Sequence, residues 1–139
     1  MIPIDIACRC GAVQLHISAE PVVQLYCHCD DCQTMHSGAY VKASIYPAAA
    51  VQVTQGAPVA AVLRTTPRLR CAGCGTHLFS EIAAAGGLRS VNAYLLPDGA
   101  FKPQMHVNCQ HALLPVVEDL PHYKAFPAAF GGSDEQVTW

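Results

Sequence analysis

Charge is what this chain has least of: Asp, Glu, Lys and Arg make up only 13% of 139 residues, about half the usual ~25%. No basic excess exists either, since Lys+Arg 8 stand against Asp+Glu 10 for a net charge of −2. A protein whose main task is gripping a phosphate backbone needs clustered cations, so nucleic acid is not expected as a partner. Long apolar runs are also missing. Stretches such as 57–63 fall far short of the ~20 residues that span a bilayer. Residues 1–5 show neither a basic n-region nor a long apolar h-region, so neither a signal peptide nor a membrane is expected and the expected location is cytoplasmic. With 52% apolar residues, intrinsic disorder is excluded as well. The length suits one domain over 1–139 with a core of its own.

What the chain does have is cysteine: Cys8, Cys10, Cys27, Cys29, Cys32, Cys71, Cys74 and Cys109. Disulfides are expected in small secreted chains with poor cores, which this is not. Cys8/Cys10 and Cys27/Cys29 are each separated by one residue, a spacing that suits thiolates converging on a metal better than a disulfide. Disulfides and free buried thiols stay open as the other readings.

Three cysteine groups differ in character. Cys8-Arg9-Cys10-Gly11 and Cys71-Ala72-Gly73-Cys74-Gly75 each end with glycine directly after the last thiol. A tight turn at such a glycine lets backbone N–H groups face sulfur. Two such turns can together make a closed, structural Cys₄ zinc site joining the start of the chain to its middle. Cys27-His28-Cys29-Asp30-Asp31-Cys32 instead brings three thiolates from one segment, with no second pair left elsewhere. Three protein ligands with an open position is the arrangement of a catalytic zinc. His28, His36, His106 or Cys109 could close that site instead, and Cys29 with Cys32 also forms a CxxC pair suited to redox or metal handling.

Between these groups the chain reads as short strands and turns, a mainly β fold. Strands are expected over 12–17, 22–27, 40–45, 51–54, 59–63, 78–82 and 88–95. The turn Gln55-Gly56-Ala57-Pro58 suggests a hairpin between the fourth and fifth of them. A short helical turn capped by Asp30 or Asp31 is expected through Met35, whereas 48–50 is too short to count. The tail from about 131 looks loose, with Trp139 a candidate to pack back.

Ala7-Cys8-Arg9-Cys10-Gly11-Ala12-Val13, Cys27-His28-Cys29-Asp30-Asp31-Cys32-Gln33 with Ser37-Gly38-Ala39, and Cys71-Ala72-Gly73-Cys74-Gly75-Thr76-His77-Leu78-Phe79 together resemble, in order and spacing, the blocks of the glutathione-dependent formaldehyde-activating enzyme family. That family is also called the centromere-protein-V family. The resemblance implies a zinc-stabilised β-sheet fold of the Mss-four-like, β-tent type. It implies two zinc ions per chain, with Cys8, Cys10, Cys71 and Cys74 on a structural ion and Cys27, Cys29 and Cys32 on a catalytic one. It also implies carbon–sulfur lyase activity: joining glutathione and formaldehyde into S-hydroxymethylglutathione, and the reverse. The implied partners are a small thiol and a small aldehyde, or their adduct. A non-catalytic zinc module that presents a surface to another protein is the other class kept open.

Outside the cysteines, His106 could contact ligand or substrate near the open zinc, and His36 could reach the metal or shuttle a proton. Arg64, Arg68 and Arg70 are expected on a solvated strand face rather than in an anion site, and Cys109 as a buried small apolar residue.

Overall fold

The computed structural model describes residues 2–64, 66–116 and 118–138. In chain order the elements are β1 (Ile4–Ala7), β2 (Gln14–Ile17), β3 (Val23–Cys27), α1 (Asp30–His36), β4 (Val41–Pro47), β5 (Val51–Gln55), β6 (Val59–Leu63), β7 (Thr66–Arg70), β8 (His77–Ile82), β9 (Leu88–Asn92) and β10 (Met105–Val107). Short 3₁₀ turns lie between them, including Ala48–Ala50 and Cys109–His111. The architecture is thus mainly β, with two sheets. The described residues divide into two compact units, one of Met1–Val23 with Ser44–Phe101, the other of Gln24–Ala43 with Lys102–Trp139.

The first unit holds the large apolar core. Alternation decides its small sheet, ordered β1-β2-β5: Ile4 and Ile6 of β1 face inward, as do Leu15 and Ile17 of β2. The register puts Ile4 opposite Ile17, Ile6 opposite Leu15, and Ile17 opposite Val51. Leu15, Ile17 and Val51 are completely buried, each worth roughly 1.5–3 kcal/mol relative to exposure. β6, β7, β8 and β9 form an antiparallel ladder that adds Leu78, Phe79 and Val91 to the same core.

The hairpin expected across Gln55-Gly56-Ala57-Pro58 does not form. β5 pairs with β2, whereas β6 turns away to pair with β7. Two features direct this. Val51 is the only buried residue of β5 and it completes the β2 face. Gly56, at φ +81°, lies so close to the Ala12 carbonyl that a side chain there would collide with it. Arg68, expected on a solvated face, is buried in β7, at the register position between Ala61 of β6 and Ser80 of β8. Strands β1, β7 and β10 had no expectation, being short or, in β7, carrying proline and arginines.

In the second unit β10 runs parallel to β3, aligning Met105 with Leu25, His106 with Tyr26 and Val107 with Cys27. Among the described residues of the tail, several backbone groups are hydrogen-bonded. The Lys124 amide donates to the Glu135 carbonyl at 2.8 Å, the Val137 amide to the His122 carbonyl at 3.0 Å, and the Ala128 amide to Asp134 Oδ1 at 2.7 Å. Trp139 lies outside the described residues.

Candidate metal centres

Two similar loops build the first centre, both in the first unit. The Cys8 amide donates to the Val13 carbonyl and the Cys71 amide to the Thr76 carbonyl, both at 3.0 Å. Each loop therefore closes five residues beyond its first cysteine. Gly11 (φ +80°) and Gly75 (φ +77°) take the left-handed conformation directly after Cys10 and Cys74, a conformation costly for other residues. Cys8 and Cys71 are buried and Cys10 and Cys74 are exposed.

The four sulfurs all lie within 4.8 Å of one another. Cys8 and Cys10 Sγ are 3.6 Å apart, and Cys10 and Cys71 Sγ 3.7 Å. Sulfurs at ~2.3 Å from a tetrahedral zinc stand about 3.8 Å apart, so the donor set fits that ion. Electrostatics point the same way. The Val13 amide, 3.3 Å from its sulfur, holds the Cys8 thiol below its ordinary value. The Thr76 hydroxyl and amide draw Cys74 down to about 5. The Ala12 amide favours Cys10 thiolate too, but the other three sulfurs outweigh it and push Cys10 up to about 11. Four thiolates this close need a cation among them.

The second centre grows from the end of β3 and the start of α1, in the second unit. Cys27 closes the strand. Cys29 is the helix N-cap, its Sγ accepting from the Cys32 amide at 3.2 Å, and Cys32 is the one buried residue of the helix. Asp30 and Asp31 occupy the first turn, where carboxylates suit the helix dipole, but the cap expected from them belongs to the thiol. Cys27 and Cys32 Sγ are 3.7 Å apart, again a tetrahedral edge. The neighbouring sulfurs of Cys29 and Cys32, helped by burial, raise the Cys27 thiol well above its ordinary value. Asn108 Nδ2 lies 3.4 Å from Cys27 Sγ, and Gln33 Nε2 donates to both the His28 and His111 carbonyls at 2.8 Å.

Among the described residues, no fourth histidine, cysteine or carboxylate joins Cys27, Cys29 and Cys32. His28 turns away: its Nε2 lies 2.8 Å from His106 Nδ1, and both rings are buried. His36 ends α1, one turn beyond Cys32 and so on the same helix face. Cys109 is buried, and burial, then the Glu118 charge, pushes its thiol up to about 11. His106 is completely buried in β10 between the Tyr26 and His122 rings. It also meets Glu118, and His106, Glu118 and His122 form a third group of convergent ligand atoms. Sequence reasoning did not single out Glu118 or His122; their spacing of four residues, acid then histidine, was the available signal.

A mainly β fold with two cysteine clusters that could hold metal ions, at sulfur spacings compatible with zinc, is consistent with a zinc-stabilised β fold. A profile of the family described as glutathione-dependent formaldehyde-activating enzyme matches residues 3–111, and the chain belongs to that family. A crystal structure of a Rhodobacter sphaeroides protein shares the fold, with a TM-score of 0.57 at 20% identity, covering 68% of this chain and 89% of that one. No curated protein matches the chain. Among the described residues no helix is long and apolar enough to cross a membrane.

Proposed function

We propose that this protein is a zinc-dependent carbon–sulfur lyase that forms or cleaves the adduct of a small thiol and a small aldehyde, at Cys27, Cys29 and Cys32. The observation that carries the reading is the contrast between the two clusters: four sulfurs in one, three in the other with no fourth ligand among the described residues. We assign Cys8, Cys10, Cys71 and Cys74 to a structural ion and Cys27, Cys29 and Cys32 to the reactive one. A zinc held by three thiolates would supply an electron-rich site that favours a substrate thiol as thiolate over hydroxide.

The chain's own residues then have distinct tasks. The Cys32 amide and Asn108 Nδ2 are placed against Cys29 and Cys27 Sγ, which fixes the direction of these donors. Gln33 ties α1 to the 109–111 turn through the His111 carbonyl, holding Cys32 in place. Addition of the thiolate to the aldehyde makes one carbon–sulfur bond and turns the carbonyl oxygen into an alkoxide. That alkoxide must gain the proton which the thiol gave up. His36, one helical turn from Cys32, is the residue we assign to carry it. The cleavage direction reverses each transfer.

The test is exchange NMR of formaldehyde with glutathione and with other small thiols. Exchange faster with protein than without it, and lost in Cys29→Ser, supports the reading. Identical rates with and without protein for every thiol would refute it and favour a non-catalytic zinc module.

A further inference from the structure

We propose that His106, Glu118 and His122 form a further metal site, for a divalent ion of the zinc type, distinct from both cysteine clusters. His106 Nε2 and His122 Nε2 reach the same carboxylate oxygen, Glu118 Oε1, at 2.9 and 2.8 Å. The three ligand atoms all lie within 4.8 Å of one another. The decisive atom is His106 Nε2. It is completely buried, yet makes no well-directed hydrogen bond; the Glu118 oxygen is near it but off the line of its ring N–H. Buried ring nitrogens ordinarily have a well-aligned partner. Ligand atoms this close together, with a buried nitrogen among them that lacks an aligned hydrogen bond, leave room for an ion to satisfy them. Around zinc at ~2.1 Å, tetrahedral donors stand about 3.4 Å apart, so the observed separations need to open by only about half an ångström.

The surroundings match a metal-binding histidine. The other nitrogen of His106 is already engaged, 2.8 Å from His28 Nε2. Such an outer contact fixes which nitrogen faces the ion. Tyr26 and His122 stack on the two faces of His106, with centroids at 4.6 and 4.7 Å and interplanar angles of 21° and 19°, so the ring is held before any ion arrives. Two imidazoles and one carboxylate suit zinc, iron(II) or cobalt(II) and not magnesium or calcium, which prefer all-oxygen sites. Glu118 is a third exposed, which gives an entry path and leaves a coordination position for water or a ligand.

The site does not depend on the lyase reading, and its test is independent of turnover. The full-length, zinc-loaded protein is equilibrated with excess zinc, desalted and counted for metal by native mass spectrometry. Two variants accompany it: Glu118→Ala, at a partly exposed position, and His122→Phe, which keeps a ring stacked on His106 but removes the nitrogen. The expected result is one fewer zinc per chain in each variant than in the parent, with the thiolate-bound ions retained. In the parent, ¹⁵N shifts of the His106 and His122 rings should move on zinc addition. Equal metal counts in parent and variants, or ring shifts indifferent to excess zinc, would overturn the proposal. If His122→Phe fails to fold, Glu118→Ala and the parent's ring shifts decide.

Discussion

Cys71→Ala offers a quantitative test of the four-cysteine centre. Cys71 is 2% exposed, and its sulfur meets Cys10 across 61 residues of chain. An ion held there acts as a cross-link between distant segments. Closing a loop of that length removes roughly 4 kcal/mol of entropy from the unfolded chain. A domain of this size has an unfolding entropy near 0.3 kcal/mol/K at its midpoint, so losing the staple should lower Tm by about 14 °C. Deleting the buried sulfur alone, with no cross-link involved, costs about 1 kcal/mol or ~3 °C. Cys109→Ala, at a buried cysteine outside the clusters, measures that smaller effect as a control. The assay is a thermal melt of parent, Cys71→Ala and Cys109→Ala, each with and without a strong chelator. The parent should lose stability on chelation until it approaches Cys71→Ala, because metal affinity and folding are linked here. A Cys71→Ala midpoint within ~3 °C of the parent, in soluble protein short of one metal, would refute the cross-link argument.

Cys29→Ser should separate metal from fold at the other centre. Serine is a good N-cap and can accept from the Cys32 amide as the thiol does, so Tm should move by less than ~3 °C while metal analysis shows one fewer tightly held ion. Gly56→Ala should destabilise by about 2–4 kcal/mol, combining the cost of a left-handed alanine with the push against the Ala12 carbonyl; an unchanged denaturation midpoint would contradict the packing given for that turn. The Cys109 thiol, raised from an ordinary 9.0 to about 11, is about a hundredfold less ionised at pH 8 than an ordinary thiol. It should resist iodoacetamide in native protein and react only on unfolding, which peptide mass spectrometry would show.

Cysteine spacing carried much of this molecule into view. The glycines after Cys10 and Cys74 marked left-handed turns, and both adopt them. Period-two alternation located β2 because Leu15 and Ile17 must both be buried. What stayed hidden depends on partners remote in sequence. β7 contains Pro67 and two arginines, Arg68 and Arg70, and is a strand only because β6 and β8 flank it. The hairpin at Gly56 looked local, but the pairing there was decided by Ala12 and Val51. His106 was noticed as a lone histidine. Its meaning comes from Glu118 and His122, brought beside it by the hydrogen bonds that pair 106 with 121 and 123.

The central claim is that Cys27, Cys29 and Cys32 hold a reactive ion while Cys8, Cys10, Cys71 and Cys74 hold a closed one. Thiol titration of cobalt-substituted protein, produced in cobalt medium, tests it most directly, because thiolate-to-cobalt charge-transfer bands report the sulfur ligands of each ion. Addition of glutathione or another small thiol should change the bands of one centre alone. That change should vanish in Cys29→Ser, leaving the four-cysteine signal as it was. Bands indifferent to every thiol tested, or a response that persists in Cys29→Ser, would contradict the account.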